Sequence, residues 1–279
     1  MTVPPLLDLL PLLAALLAAG GVAGLSAGLF GVGGGFVVVP ALLLAHGALL
    51  GTSNNDLYVA VGTSLATIIV TSVRSVQAHN SRGSVDFDIL RAWSPWIVIG
   101  VFGGVAIAAV VETRTLLMTF AVGVLLYAVY FLRPTFVVAR EKHFALPTGA
   151  GRAVLASGLS GFSALLGIGG GTPFVVTMVV CGRPVHQAVG TAAGIGFLIA
   201  VPGTVGFAVM GLGQPGLPPG SIGYVNLPAF AAIAAVSIFT APLGAKLAHS
   251  LSELHLRRAF GLYLLLVSAS FFYKYFTAP

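Results

Sequence analysis

The stretch Gly28-Leu-Phe-Gly-Val-Gly-Gly-Gly-Phe-Val-Val-Val-Pro40 sets three consecutive glycines, Gly33, Gly34 and Gly35, between apolar runs. Each glycine weakens a helix by about 1 kcal/mol relative to alanine and admits backbone conformations closed to other residues. A helix entering this stretch is therefore expected to break. The surrounding sequence says in what medium. Apolar runs of about 18 or more residues, the length that spans a hydrocarbon core, fall at 6–29, 57–73, 92–111, 115–132, 186–210, 223–247 and 259–276. Shorter apolar pieces lie at 36–50, 153–166 and 172–182. Of the 279 residues, 57% are hydrophobic and 7% charged, whereas roughly a quarter of an ordinary soluble domain is charged. Mean hydropathy is +1.03, so lipid must solvate the surface. The expected class is an all-α polytopic membrane protein of about ten membrane segments. Irregular backbone at membrane depth survives only where protein buries it or water reaches it, which makes the glycine break a candidate cavity wall.

The same break occurs twice. Gly31-Val-Gly-Gly-Gly35 recurs as Gly167-Ile-Gly-Gly-Gly171, Ala60-Val-Gly-Thr63 as Ala188-Val-Gly-Thr191, and the run at 116–120 aligns with that at 256–260. This order predicts an N-terminal membrane repeat over 1–132, a charged cytoplasmic linker over 133–152 and a C-terminal membrane repeat over 153–279. Lys and Arg favour cytoplasmic loops. Placing Arg74, Arg82, Arg91, Arg133, Arg140, Lys142, Arg152, Arg183, Lys246, Arg257 and Arg258 inside accounts for 11 of 13 basic residues and leaves Arg114 and Lys274 outside. The uncharged connection 211–222 fits the outer side, and both termini come out external. An odd number of crossings per half, about five by the apolar-run lengths, makes the repeats inverted, with Gly-broken half-helices. Inverted repeats are a plan of secondary transporters, with the substrate site near the midplane between them. The run from Leu6 has no basic residue before it and reads as a first membrane helix rather than a cleaved leader.

A half-helix after each break presents free N–H groups and the positive end of its dipole, which suits an anion. The candidate substrate site is therefore Gly33, Gly34 and Gly35 facing Gly169, Gly170 and Gly171. Thr63, Ser64 and Thr191 open the next long segments, where hydroxyls can hold an oxyanion or a cation, or bond back to the preceding turn. Gln187 and His186 share a helix face with Thr191. Gly24 and Gly28 have the small-xxx-small spacing of helix packing. Arg74, Arg82, Arg183, His186 and Lys246 are candidates for gating or for steering anions, against the plainer roles of setting topology and touching phospholipid.

These residues carry a family resemblance. GLFGVGGGFVVVP (28–40), AVGTS (60–64), HNSRGSVDF (79–87), GIGGG (167–171), RPVHQAVGTAAG (183–194) and APLGAKLAHSL with LRRAFGLYLLL (241–266) resemble the TauE/SafE sulfite exporter family over nearly the whole chain. The second repeat departs from the first at Val176, opposite Pro40, and at Ala192, opposite Ser64. The resemblance implies export or exchange of small sulfur-containing anions, sulfite and organosulfonates, across the cytoplasmic inner membrane. The residues themselves specify an anion and never sulfur.

No carboxylate falls at a segment centre, which argues against a carboxylate proton relay. The coupling ion, Na⁺ or H⁺, is left open, as are a homo-oligomer and the direction of transport. No cofactor, metal cage or nucleic-acid partner is expected. The one cysteine, Cys181, forms no intramolecular disulfide, and the glycine runs lack the Gly-Lys-Ser/Thr ending of a nucleotide loop. The partners are a small anion and membrane lipid, and the chain is not expected to be an enzyme. A Ser163–His186 hydrolase pair is disfavoured because the repeat sets Ser163 opposite Ala27. A passive anion channel is the stronger alternative to a carrier.

Overall fold

The computed structural model describes residues 6–49, 53, 55–133, 144–248 and 253–277. Among them are ten helices: α1 Leu6–Phe30, α2 Gly35–Leu49, α3 Asp56–Asn80, α4 Phe87–Val110, α5 Thr113–Leu132, α6 Gly149–Leu165, α7 Gly171–Val180, α8 Val185–Met210, α9 Leu227–Leu247 and α10 Glu253–Thr277. A short antiparallel hairpin, β1 Ser221–Ile222 with β2 Val225–Asn226, precedes α9. Six helices are long and apolar enough to cross a membrane: α1 from Leu10, α3, α4, α5, α8 and α9. The protein is an all-α membrane protein. Large apolar side chains such as Val110, Phe239 and Leu266 point outward, as a lipid-solvated surface requires.

Several boundaries differ from the apolar runs, for one reason: an apolar run measures lipid exposure, whereas a helix continues as long as its backbone bonds do. The third run, expected to end at 73, continues as helix to Asn80, so Arg74 lies inside α3 and the loop shrinks to 81–86, where Gly83 turns at φ +66°. The run expected from 223 becomes helical only at Leu227, because Asn226 caps it by accepting from Ala229 N at 2.9 Å, an N-cap role that asparagine favours. Helix α6 begins at Gly149, inside the stretch expected as linker. Residues 134–143 of that stretch, with Arg140 and Lys142, lie outside the described residues.

The helices pair across the halves. α1 packs against α9 and α4 against α6, α3 against α8, α5 against α10, α3 against α9 and α4 against α8. Exchanging each helix for its counterpart five places along maps this set of contacts onto itself. The first pair of seams is built from small residues. A Cβ on Gly20, Gly24 or Gly28 would strike main-chain atoms of α9, and one on Gly100 or Gly104 main-chain atoms of α6. Such close backbone approach is how membrane helices gain packing without a hydrophobic drive between them. α3 is the most enclosed of the six long spans.

Candidate functional site

The two glycine breaks meet at the middle of α3. After α1 ends at Phe30, Gly31, Gly33 and Gly34 take φ of +65°, +78° and +81°, a left-handed path that only glycine follows without strain. Gly167 and Gly170, at +62° and +66°, do the same between α6 and α7. The loops abut: Gly33 lies against Gly169, Gly35 against the Gly167 carbonyl, and Gly171 against the Gly31 carbonyl. Ile68, midway along α3, contacts both Gly33 and Gly169. Residues 31–40 and 166–172 are all buried. Any side chain at Gly35 or Gly171 would occupy the space of the opposing main chain.

α3 also supplies the hydrogen bonds. Ser64 Oγ donates to the Gly167 carbonyl at 2.8 Å, and Thr71 Oγ1 donates to the Gly33 carbonyl at 3.0 Å. The carbonyl sides of both breaks are thus held; in α2 the Val37 N–H turns back to the Gly34 carbonyl at 2.9 Å, and the N–H groups before it, like those at the start of α7, precede any intrahelical partner, as at every helix start. The surroundings of the two starts differ. Phe36, in the first turn of α2, packs edge-on against Tyr127 at 4.9 Å and against Phe260 at 6.3 Å. Its positional counterpart is Thr172, in the first turn of α7, whose buried Oγ1 has no hydrogen-bond partner among the described residues. Ser72 Oγ is likewise buried and unpartnered. It shares the space beside Gly196 with the Gly169 carbonyl, since a Cβ there would lie 2.8 Å from the first and 3.1 Å from the second. Ser163, fully buried, neighbours Gly170 and the Tyr127 hydroxyl. Leaving a hydroxyl buried without a partner costs roughly 1–3 kcal/mol, so two beside one helix start call for an explanation.

The other candidates fall into separate places. Thr63 Oγ1 accepts from the Asn226 N–H at 2.9 Å, and Thr191 Oγ1 accepts from the Asp86 N–H at 2.9 Å. These are matching latches, each tying the third helix of one half to the N-cap of the fourth helix of the other. Gln187 Nε2 donates to Asp86 Oδ2 at 3.5 Å, and Arg183 pairs with the same carboxylate at 3.8 Å. Gln187 and Arg183 therefore belong to the second latch and not to the glycine junction. His186 is exposed in the first turn of α8, away from the buried Ser163 that a hydrolase would pair with it. Asp86, Asn226, Thr71, Ser72 and Thr172 escaped the sequence reading. Asp86 and Asn226 carry an N-cap signal before an apolar run, but nothing local marks the other three. Cys181, in the turn between α7 and α8, sits 3.8 Å from the Ala145 carbonyl, and burial raises its thiol pKa.

Arg74, Arg82 and Lys246 come together. They line one cavity of about 270 Å³ with Gln77, Ala78, Ser81 and Pro242, where the ends of α3 and α9 meet. Arg74 Nε donates to the Ile238 carbonyl at 3.2 Å and its Nη1 to Gln77 Oε1 at 3.0 Å, while Arg82 Nη1 donates to the Ala245 carbonyl at 3.1 Å. Among the described residues, no group of three or more His, Cys, Asp or Glu is placed to hold a metal.

Comparison with known proteins gives this arrangement a context. The family model described as sulfite exporter TauE/SafE matches residues 16–271. A Haemophilus influenzae protein named "probable membrane transporter protein" is 33% identical, over 91% of this chain and 96% of its own length. A Methanocaldococcus jannaschii protein with the same description is 27% identical, over 90% of this chain and 91% of its own. No solved structure matches.

Proposed function

The chain belongs to the sulfite exporter TauE/SafE family and is a membrane transporter rather than an enzyme, and on that premise we propose that it carries small oxyanions, sulfite or organosulfonates, by alternating access at the junction of its glycine breaks. In this reading residues 1–132 and 153–279 are inverted repeats joined by a cytoplasmic linker at 133–152. The chain lies in the cytoplasmic membrane with both termini outside. The self-mapping helix contacts and the matched latches support two repeats related by a pseudo-two-fold, and the distribution of Lys and Arg supports the sidedness.

The observation that carries the site is the pair of buried, unpartnered hydroxyls, Thr172 and Ser72, beside the start of α7. A helix start offers N–H donors and a dipole of favourable sign for an anion, and free hydroxyls add donors. The six glycines at 33–35 and 169–171, with Ser64 fixing the Gly167 carbonyl, shape that space. Thr63, Thr191 and Gln187 act one step removed, through the latches. The buried junction corresponds to an occluded state, and exchange between the latches would open one side or the other.

The test is flux of sulfite, sulfoacetate, thiosulfate and sulfate in liposomes, with and without Na⁺ or pH gradients. Gly34→Leu and Gly170→Leu, which put a side chain on a left-handed residue in a filled space, are expected to insert into the membrane and abolish flux. Wild-type flux by both folded variants would overturn the glycine junction as the site. Saturable flux with counterflow is the signature of the carrier, and non-saturating flux that of a channel.

A further inference from the structure

Outside the glycine junction, the cavity between the ends of α3 and α9 has no role in the reading above. Three cationic side chains reach it, Arg74 from α3, Arg82 from the loop that follows α3 and Lys246 from α9. Arg74 and Arg82 donate to neutral oxygens, and no carboxylate lines the cavity. Among the described residues the ion pairs are Arg91 with Asp88 and Arg183 with Asp86, so none of the three cations has an acidic partner within 4 Å. Cations gathered without a counter-charge repel one another, and a cavity walled by low-dielectric protein focuses their field on an anion. Arg74 is also pinned. Its half-buried guanidinium donates to Ile238 and Gln77, which orients the rest of its fork toward the cavity without rotamer searching.

The position along α3 supplies a direction. Ile68 touches both glycine breaks, Thr71 bonds Gly33, and Arg74 follows one turn later. At 1.5 Å rise per residue, Arg74 stands about 9 Å along the axis from Ile68. The cavity is therefore the nearest cationic station to the junction along that helix.

We propose that Arg74, Arg82 and Lys246 form an oxyanion-binding vestibule that loads the transported anion from the cytoplasmic face. This rests on the carrier reading for its cargo and on the charge distribution for its side. The ligand chemistry is a compact oxyanion, sulfite, sulfonate or phosphate type, held by charge-assisted N–H donors. At about 270 Å³ the cavity has room for such an ion together with some of its hydration water. A phospholipid headgroup phosphate offers the same chemistry from the side.

The experiment uses the full chain, wild type and Arg82→Gln/Lys246→Gln, with Arg74→Lys as a single variant that keeps charge but loses the fork. Thermal protection of the purified protein by sulfite and by sulfate is titrated first. Flux is then measured from each face in vesicles of phosphatidylcholine alone and with phosphatidylglycerol added. The double variant is expected to need about tenfold more anion for half-maximal protection and for half-maximal flux from the cytoplasmic face. Half-saturation from the outer face should shift by less than twofold, in both lipid mixtures. Arg74→Lys is expected to shift protection by a few-fold. Equal protection and equal half-saturation in wild type and double variant would overturn the vestibule while leaving the carrier standing. Loss of effect in pure phosphatidylcholine would assign the site to lipid headgroups and overturn the loading role. Charge-dependent protection by a chain that moves none of the anions would retain the oxyanion site and reject the carrier.

Discussion

The two glycine breaks are spelled almost alike and packed against each other, yet they are filled differently. At the first, Phe36 closes the start of α2 against Tyr127 and Phe260. At the second, Thr172 leaves a buried hydroxyl without a partner at the start of α7, and Ser72 leaves another near the Gly169 carbonyl. The shared part, glycines meeting main chain across the junction, is what lets two broken helices cross at the centre. The unshared part gives the two starts different surroundings, aromatic at α2 and polar at α7. Helix contacts that map onto one another thus surround two starts that differ at a few positions, Phe36 against Thr172 among them.

The comparison breaks most severely at the shared part. Gly35→Val and Gly171→Val each drive a branched side chain into the opposing break's main chain. Overpacking of that kind typically costs about 1–3 kcal/mol where neighbours can shift, and main chain shifts least. Both variants are expected to lose most folded, monodisperse protein after extraction, and to lose it equally, as size-exclusion profiles and melting curves would record. A wild-type melt for either one would mean that the breaks do not meet.

The unshared part separates stability from transport. Phe36→Ala removes a fully buried ring and is expected to cost about 3–5 kcal/mol, so its flux should fall in proportion to folded protein. Thr172→Val removes an unpartnered hydroxyl and keeps the shape. Its melting temperature should hold or rise, because a buried unsatisfied group is gone, while flux per folded molecule falls about tenfold for one lost charge-assisted bond. Measuring flux and melting on the same preparations sharpens the contrast. If Thr172→Val transports like wild type, the second break holds no anion.

The membrane class, the twin breaks and the basic clusters were legible in the sequence because composition and local repetition carry them. Gly33 to Gly35 and Gly169 to Gly171 are a pair by their spelling alone, whereas their contact through Ile68 arises only in the fold. Thr63 and Thr191 were visible as repeated residues, but their partners, the backbone N–H groups of Asn226 and Asp86, lie over 100 positions away in the opposite half. A hydroxyl's partner depends on tertiary placement, and the sequence offered only the N-cap character of the partners themselves. Helix ends were misread where polar residues continued a helix beyond its apolar stretch, as from Arg74 to Asn80. The hairpin at 221–226, with two residues in each strand, is too short to leave a periodic signal.

The latches repeat the lesson at the rims, with smaller effects. One is neutral: Asn226, its N–H on Thr63, with its side chain on the Ala229 N–H. The other is ionic: Asp86, its N–H on Thr191, its carboxylate capping α4 and facing Arg183 and Gln187. Asn226→Asp would put a carboxylate in a buried latch with no cation among its bonded partners, where burial raises the folded-state pKa above the unfolded value. Its penalty is absent while the group is protonated and grows as pH rises, so this variant should melt close to wild type near pH 4 and clearly below it at pH 7. Asp86→Asn keeps the cap, since asparagine caps as well as aspartate, removes the pair with Arg183 and leaves Gln187 facing a neutral amide in place of the carboxylate oxygen. With the Arg183 side chain 40% exposed, that pair is worth about 0.2–1 kcal/mol, a change of about fivefold at most in the balance between open and closed. The expected outcome is a small, salt-sensitive change in flux that disappears at high ionic strength, where the wild-type pair is screened as well. A change that persists undiminished in molar salt would mean that Asp86 does more at this rim than close the latch, and the neutral latch would no longer be its functional equal.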